Sequence, residues 1–255
     1  MTPRRGALIV GASSGIGAAL ARELAIRGYA VALVARRGPD LEQLGAEIDR
    51  HASQDAAPLV QAFPHDVRDY DAAPALFERI VKDLGANTLK LVIYCAGVMP
   101  DSTDGTWTFE QERAMMETNA VGAMRWLDLA ASYFRGRGRG TLLGVSSVAG
   151  DRGRRGNSAY QASKAALSTY LESLRYRLDG TGVRVVTVKP GYVATPMTAH
   201  LKLPGRLVIS PERVARRVAD VSERGSSVVY VPGYLGPVLW IVRQLPAWLM
   251  THLPL

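Results

Sequence analysis

The sequence predicts a single α/β domain, a Rossmann-type doubly wound parallel sheet with helices on both faces. Three observations carry that expectation. Short apolar runs alternate with amphipathic stretches of helical spacing. The runs are continuously apolar rather than alternating, as strands covered on both sides must be. The chain has 255 residues, 47% of them hydrophobic. A domain of that size buries roughly three quarters of the surface its unfolded chain exposes.

The elements follow in order. Ala7–Val10 is a buried-strand signal, succeeded by a Gly/Ser loop and helical spacing from Ala18 to Arg27. Ala30–Val34 is a second strand. Asp40–Arg50 is a capped helix with Leu41, Leu44 and Ile48 on one face. Pro58–Phe63 is a weaker strand, Ala75–Leu84 a helix and Leu89–Tyr94 a strand. Phe109–Phe134 holds one or two helices, followed by a strand at Gly140–Val145. A long helix at Ser158–Leu178 and a strand at Val183–Val188 come next. Pro211–Glu223 reads as a helix with proline in its first turn and Ser210 as cap, and Ser227–Val231 as the last strand. No linker or repeat divides the chain, so residues 1–255 form one domain, with 196–255 as a variable lid and apolar tail.

Composition excludes several classes. One cysteine, Cys95, permits no internal disulfide, and the apolar fraction is too high for a disordered chain. No run of about 20 uninterrupted apolar residues suggests a spanning helix, and the N-terminus lacks the pattern of a secretory signal. A cytoplasmic location is expected. The net charge of +8 is mostly arginine and fits a solvated surface, an anionic lipid, a nucleic acid or a phosphorylated ligand. The basic patch Arg135–Gly140 has no interleaved aromatic residues and reads as an exposed turn, so nucleic acid is not expected as a partner.

The first chemical signal is Gly11-Ala-Ser-Ser-Gly15-Ile-Gly17, between the first strand and a helix. There a phosphate can sit on backbone N–H groups at the helix N-terminus. Gly11 permits the turn, Gly15 lets the backbone approach a pyrophosphate, and Gly17 lets helix and strand pack closely. Ser13, Ser14 and Ile16 complete the loop. The second strand ends in Arg36-Arg37, where an acidic residue would bind a ribose 2′-hydroxyl. Guanidinium groups there suit a 2′-phosphate, which favours NADP(H) over NAD(H).

The second signal is Tyr160 and Lys164, one helical turn apart, with Ser147 at the end of a strand thirteen residues earlier. Asn119 precedes them within Thr118-Asn-Ala-Val-Gly122. Together with the glycine loop, these residues resemble the short-chain dehydrogenases/reductases. The matching pieces also include Asp66-Val67, Cys95-Ala96-Gly97, Ser146–Gly150, Tyr160–Lys164 and Lys189–Thr195, in the family's order. The resemblance covers about residues 5 to 200. The family commonly has Asn-Asn-Ala-Gly where this chain has Tyr94-Cys95-Ala96-Gly97. No histidine is placed by motif to activate Cys95 as a nucleophile.

The resemblance implies hydride transfer between a nicotinamide and a carbonyl or alcohol carbon. Tyr160 is then the acid/base, its phenol lowered by Lys164, which also binds the nicotinamide ribose. Ser147, rather than Ser146, holds the substrate oxygen, and Asn119 holds a relay water reaching Lys164. Asp66 and Val67 flank the adenine, while Pro190, Gly191, Val193 and Thr195 line the nicotinamide side. No metal is called for.

The expected function is an NADP(H)-dependent reduction of an apolar ketone, or oxidation of the matching secondary alcohol, by a homodimer or homotetramer. The rivals are an NAD-dependent alcohol dehydrogenase of the same fold and a dinucleotide-binding sensor without turnover. Met197–Val208 is the expected lid. The tail at Gly236–Leu255 has one charged side chain, Arg243, two tryptophans, and an interrupting Pro246. It reads as an oligomer contact, a peripheral membrane contact, or a wall of an apolar substrate pocket.

Overall fold

The computed structural model describes residues 5–50, 59–85, 87–102, 105–201, 205–223 and 227–252. Five runs form the first strands of the sheet: β1 (Gly6–Val10), β2 (Ala30–Ala35), β3 (Val60–Pro64), which lies at one edge, β4 (Leu89–Tyr94) and β5 (Gly140–Val145). β6 (Val183–Pro190) extends it. A two-residue strand β7 (Tyr192–Val193) pairs with β8 (Val208–Ile209) outside the main sheet, and β9 (Val228–Val231) closes one edge. All pairings in the main sheet are parallel, in the order β3-β2-β1-β4-β5-β6-β9. The strand order reverses between β1 and β4, and a doubly wound sheet opens a crevice at that point.

Helices pack on both faces. On one side lie α1 (Gly15–Ile26), α2 (Gly38–Arg50) and, later in the chain, the helix Pro211–Glu223. Leu20, Leu24, Leu41, Val214 and Val218 are buried there against Ile9, Leu33 and Val186. On the other lie α3 (Ala73–Asp83), α4 (Phe109–Met116), α5 (Gly122–Arg135) and α6 (Ser158–Arg177). Phe77, Trp126, Phe134, Leu167 and Leu171 fill that second core against Leu8, Val92 and Leu142. Pro211–Glu223 is thus α7, and Ser210 caps it by accepting from the Arg213 amide at 3.2 Å. Two apolar cores on opposite faces of one sheet explain why the strands are mostly apolar on both sides.

The expected elements are present, with boundaries that differ by a few residues. The first helix begins at Gly15, inside the glycine loop, rather than at Ala18. Pro58, the expected start of β3, lies outside the described residues. The Phe109–Phe134 stretch is α4 and α5 joined by one π-helical turn, Glu117–Val121. The basic patch is an exposed turn, with the Arg137 guanidinium 3.7 Å from the centre of the Tyr133 ring. After β9 come α8 (Leu235–Gln244) and a short α9 (Ala247–Met250), separated by Pro246. No described helix is long and apolar enough to cross a membrane.

Candidate active site

The loops leaving the carboxyl ends of the strands are tied to neighbouring strands by backbone hydrogen bonds. The Gly11 amide donates to Val34 O at 2.7 Å and the Cys95 amide to Val10 O at 2.7 Å. The Ser146 amide donates to Val188 O at 2.8 Å and the Gly191 amide to Val231 O at 2.9 Å. These loops converge on one open cavity of about 520 Å³.

The phosphate-binding end of this cavity depends on glycine. A Cβ on Gly11 would lie 2.3 Å from the Ala96 nitrogen, and its φ of +95° favours glycine. A Cβ on Gly17 would lie 2.0 Å from Gly11 O. Gly15 has φ of +54°, and a Cβ there would press on Thr195 at 3.0 Å. Ser13, Ser14 and Ile16 line the same wall. The cradle left by these absent side chains fits a dinucleotide pyrophosphate at the N-terminus of α1.

The two arginines after β2 have different environments. Arg37 donates to Ser13 Oγ at 3.0 Å and Ser14 Oγ at 3.1 Å, and pairs with Asp40 at 2.6 Å. Arg36 is exposed, lines the cavity, and has no hydrogen-bond or ion-pair partner among the described residues. Val67 lines the cavity. The Asp66 carboxylate pairs with Arg68 at 2.7 Å, and this bond holds its pKa down.

At the other end, α6 supplies Tyr160 and Lys164. Asn157 caps that helix by accepting from the Tyr160 amide at 2.9 Å, which fixes Tyr160 in the first turn. Lys164 is 4% exposed, and its Nζ donates to Val145 O at 3.0 Å. Burial pulls this ammonium down to about 8, with the nearby Cys95 thiol opposing the fall. Its Nζ stands 5.8 Å from the centre of the Tyr160 ring.

Burial also raises the Tyr160 phenol above its ordinary value. A hydrogen bond with the Ser147 side chain and, more weakly, the charge of Arg154 oppose the rise. The expected lowering of this phenol is therefore not found. Desolvation outweighs the opposing groups, and the cation acting on the phenol is Arg154.

The two serines face different groups. Ser146 Oγ is buried, within 2.8 Å of both Lys164 O and Ser168 Oγ, and so braces α6. Ser147 Oγ accepts from the Ala149 amide at 3.1 Å and faces Tyr160. Gly150 lets this turn sit directly on α6, since a Cβ there would meet the Lys164 carbonyl carbon at 2.6 Å.

Asn119 lies in the π-helical turn and is fully buried. Its Oδ1 accepts from the Val98 amide at 2.8 Å, and its Nδ2 donates to Val98 O and Ser163 Oγ, both at 3.0 Å. Its amide is thus engaged with protein groups. The Tyr94 hydroxyl donates to Thr118 O at 2.5 Å, giving a carbonyl of the π-helical turn a side-chain partner. A Cβ on Gly122 would meet that hydroxyl at 2.8 Å. The Cys95 thiol is pushed up to about 12 by burial, which makes it unsuited to nucleophilic attack. Ala96, Gly97, Pro190, Gly191, Val193 and Thr195 all line the cavity.

Sequence reasoning missed His65, Met99 and Thr118, which also line the cavity. His65 Nε2 is buried without a hydrogen-bond partner among the described residues, and burial lowers its pKa, so the ring is neutral at pH 7. The only hint in the sequence is its place beside Asp66. Of the expected lid, Met197 and Thr198 line the cavity, as does Pro196 just before them, and 202–204 lie outside the described residues.

A parallel sheet in this order, with a glycine cradle at its switch point and a Ser-Tyr-Lys set across the cleft, defines a nicotinamide-dinucleotide oxidoreductase fold. The chain belongs to the short chain dehydrogenase family, whose model matches residues 5–204. It is 38% identical over 243 residues to an uncharacterized oxidoreductase of Myxococcus xanthus, covering 95% of this chain and 93% of that one. A ketoacyl reductase, HetN of Nostoc, is 31% identical over 230 residues, covering 88% and 77%. Among solved structures, an actinorhodin polyketide ketoreductase with NADPH superposes with a TM-score of 0.78 at 25% identity, covering 91% of this chain and 97% of that one.

Proposed function

We propose that this protein reduces an apolar ketone, or oxidises the matching secondary alcohol, with NADP(H) as cofactor. The observation that carries this reading is the hydrogen-bonded pair Ser147 and Tyr160 at the wall of the cavity, with the Lys164 ammonium 5.8 Å from the Tyr160 ring centre. A phenol already carries its proton at neutral pH, and burial strengthens that preference, so the proton is at hand beside the carbonyl oxygen and leaves only as that oxygen gains charge. Carbonyl reduction needs that proton at the oxygen. Ser147 Oγ holds the substrate oxygen beside the phenol, and Tyr160 delivers the proton as the oxygen gains charge. Lys164 stabilises the phenolate left behind and is placed by resemblance to bind the nicotinamide ribose. The cofactor supplies or accepts the hydride.

Asn119 acts in this reading as a positioning residue. Its engaged amide joins the Val98 loop to Ser163, one residue before Lys164. Its Oδ1 and the Lys164 Nζ both lie against the open face of Gly97, within 3.3 and 3.5 Å of where a Cβ would be. Gly11, Ser13, Ser14, Gly15, Ile16 and Gly17 hold the pyrophosphate, and the exposed Arg36 reads the 2′-phosphate. Asp66 and Val67 flank the adenine; Cys95, Ala96 and Gly97 line the ribose side; Pro190, Gly191, Val193 and Thr195 line the nicotinamide side. Members of this family are typically oligomers acting on small substrates. We extend a homo-oligomeric state and a cytoplasmic setting to this chain.

The test is NADPH oxidation, followed by absorbance, over a panel of ketones. Tyr160→Phe is expected to lower the rate about 10²–10⁴-fold while NADPH still binds. Reduction at the parent rate by that variant would overturn the mechanism.

A further inference from the structure

Helix α8 carries apolar side chains on both of its faces. Leu235, Leu239 and Val242 turn inward and roof a second cavity, of about 180 Å³, which shares Gly191 with the reaction cleft. Pro237, Trp240, Ile241 and Gln244 recur at i, i+3, i+4 and i+7 on the opposite face, and all four are exposed. A helix resting on a globular body normally places polar groups on that outer face. Here it holds a proline, a tryptophan and an isoleucine beside a single glutamine. Beyond Pro246 the short α9 adds Trp248, and Trp240 and Trp248 are 65% and 68% exposed. Tyr234 and Val238 are exposed as well and also line the second cavity, so the apolar surface reaches the mouth of that cavity. An exposed apolar patch of this kind marks a docking surface.

The charges bordering the patch have one sign. The chain has no aspartate or glutamate after Glu223. Arg243 is exposed on the flank of α8. Arg152 donates to Arg243 O at 3.4 Å and to Leu245 O at 2.9 Å, at the end of α8. Arg155, also exposed, donates to Thr251 O at 2.7 Å, at the end of α9. None of these three arginines is ion-paired among the described residues, and the neighbouring carboxylate, Asp151, is paired with Lys189.

Two occupants fit an exposed apolar face, a second copy of the chain or a lipid surface. A second copy packed isologously lays the arginine border against itself and brings it no carboxylate from the tail. An anionic bilayer matches both parts of the surface. Tryptophan sits at the level of the headgroups, and arginines beside it are attracted by anionic lipid. At ten residues α8 has about half the length that spans a bilayer, so the contact is interfacial.

We propose that α8 and α9 dock on an anionic phospholipid bilayer, with Trp240, Ile241 and Trp248 in the interface and Arg155 and Arg243 against the headgroups. The docking stands independently of the reaction proposed above. Because α8 follows the carboxyl end of β9, it turns the end of the sheet that bears the reaction cleft toward the lipid.

The experiment sediments the full chain with vesicles of phosphatidylcholine alone and of phosphatidylcholine mixed with phosphatidylglycerol, at low and high salt. Binding to the mixed vesicles is expected to be roughly tenfold or more tighter than to phosphatidylcholine, and to weaken as salt rises. Trp240→Ser with Trp248→Ser is expected to weaken that binding by about tenfold or more. Arg155→Glu with Arg243→Glu is expected to do the same. Arg135→Glu with Arg139→Glu, ahead of β5 at the opposite end of the sheet, is expected to change it by less than about twofold. The thermal midpoint reports whether each variant is folded, and Ile241→Ser repeats the test should the tryptophan pair not fold. Failure to bind the mixed vesicles overturns the proposal, as does binding that the tryptophan pair leaves unchanged or that the remote arginines carry equally. Self-association that depends on both tryptophans, without vesicle binding, assigns the face to a second copy and overturns it too.

Discussion

The ammonium of Lys164 donates to the carbonyl of Val145 at 3.0 Å, joining the middle of α6 to the end of β5. Both groups are buried, and desolvation pulls the amine from 10.5 down to about 8. That gap corresponds to roughly 3 kcal/mol held against folding at pH 7. The unfolded chain binds the extra proton between pH 8 and 10.5, so stability rises with pH across that window, and the penalty is present in full below it. Lys164→Met is therefore expected to abolish turnover while raising stability at pH 7 by up to about 3 kcal/mol. The gain is expected to shrink as pH rises towards 10.5. Urea unfolding of both proteins at pH 7 and pH 9.5 measures it; a less stable variant at pH 7 would refute the argument.

The arginines after β2 are expected to have separate tasks. Arg37 braces the glycine loop through Ser13 and Ser14, whereas Arg36 is exposed at the cavity wall with no partner among the described residues. Arg36→Asp is expected to lower the preference for NADPH over NADH by roughly 10²-fold, as expected for losing a charge-assisted contact and gaining a repulsive one. Arg37→Ala is expected to weaken both cofactors together. Titrating each variant with NADPH and NADH separates the two roles. An unchanged ratio for Arg36→Asp would refute the assignment.

The glycine cradle offers a steric prediction. Any Cβ at position 17 would sit 2.0 Å from a carbonyl oxygen of the same loop, well inside van der Waals contact. Neither partner is a flexible side-chain end, so α1 must move away from β1. Gly17→Ala is expected to lose cofactor binding and to lower the thermal midpoint by more than an exposed alanine substitution does. Gly28→Ala is a control, since a Cβ there meets nothing within 4 Å, although its φ of +81° carries a backbone cost. Equal cofactor affinity in Gly17→Ala and the parent would show that the cradle is not needed.

The sheet was legible because burial on both faces leaves one signal, apolar runs such as Ala7–Val10 and Ala30–Val34. The motif residues were legible because their spacing is set by local geometry: Tyr160 and Lys164 share a helix face, and Gly11 and Gly17 share a loop. The π-helical turn at Asn119 was not, since it depends on a tertiary contact, the Tyr94 hydroxyl on Thr118 O. The direction of the Tyr160 shift was missed for a similar reason. A sequence shows that Lys164 is near, but not that burial raises the phenol against Ser147 and Arg154. The cavity under α8 needed the fold to bring residues 148–154, 191–192 and 235–250 together.

A last prediction concerns Lys189, which the sequence reading used only as the start of the Lys189–Thr195 motif. Its ammonium is ion-paired with Asp151, directly after the Ser147 turn, and both side chains are buried. Tyr230 of β9 donates to the other Asp151 oxygen at 2.9 Å, and burial together with that bond raises its phenol. The cluster joins the turn carrying Ser147 to the Pro190-Gly191 loop and to the ring on which Gly236 of α8 rests, 3.2 Å from where its Cβ would be. Asp151→Ala leaves a buried ammonium without its partner and is expected to cost about 3–5 kcal/mol. Tyr230→Phe removes one charge-assisted hydrogen bond and is expected to cost about 1.5–3 kcal/mol. Replacing the pair together, Asp151→Leu with Lys189→Met, is expected to recover most of the loss, because no uncompensated charge remains. Equilibrium unfolding of the three variants measures each step. A double variant as unstable as Asp151→Ala would show that the cluster acts by shape rather than by charge.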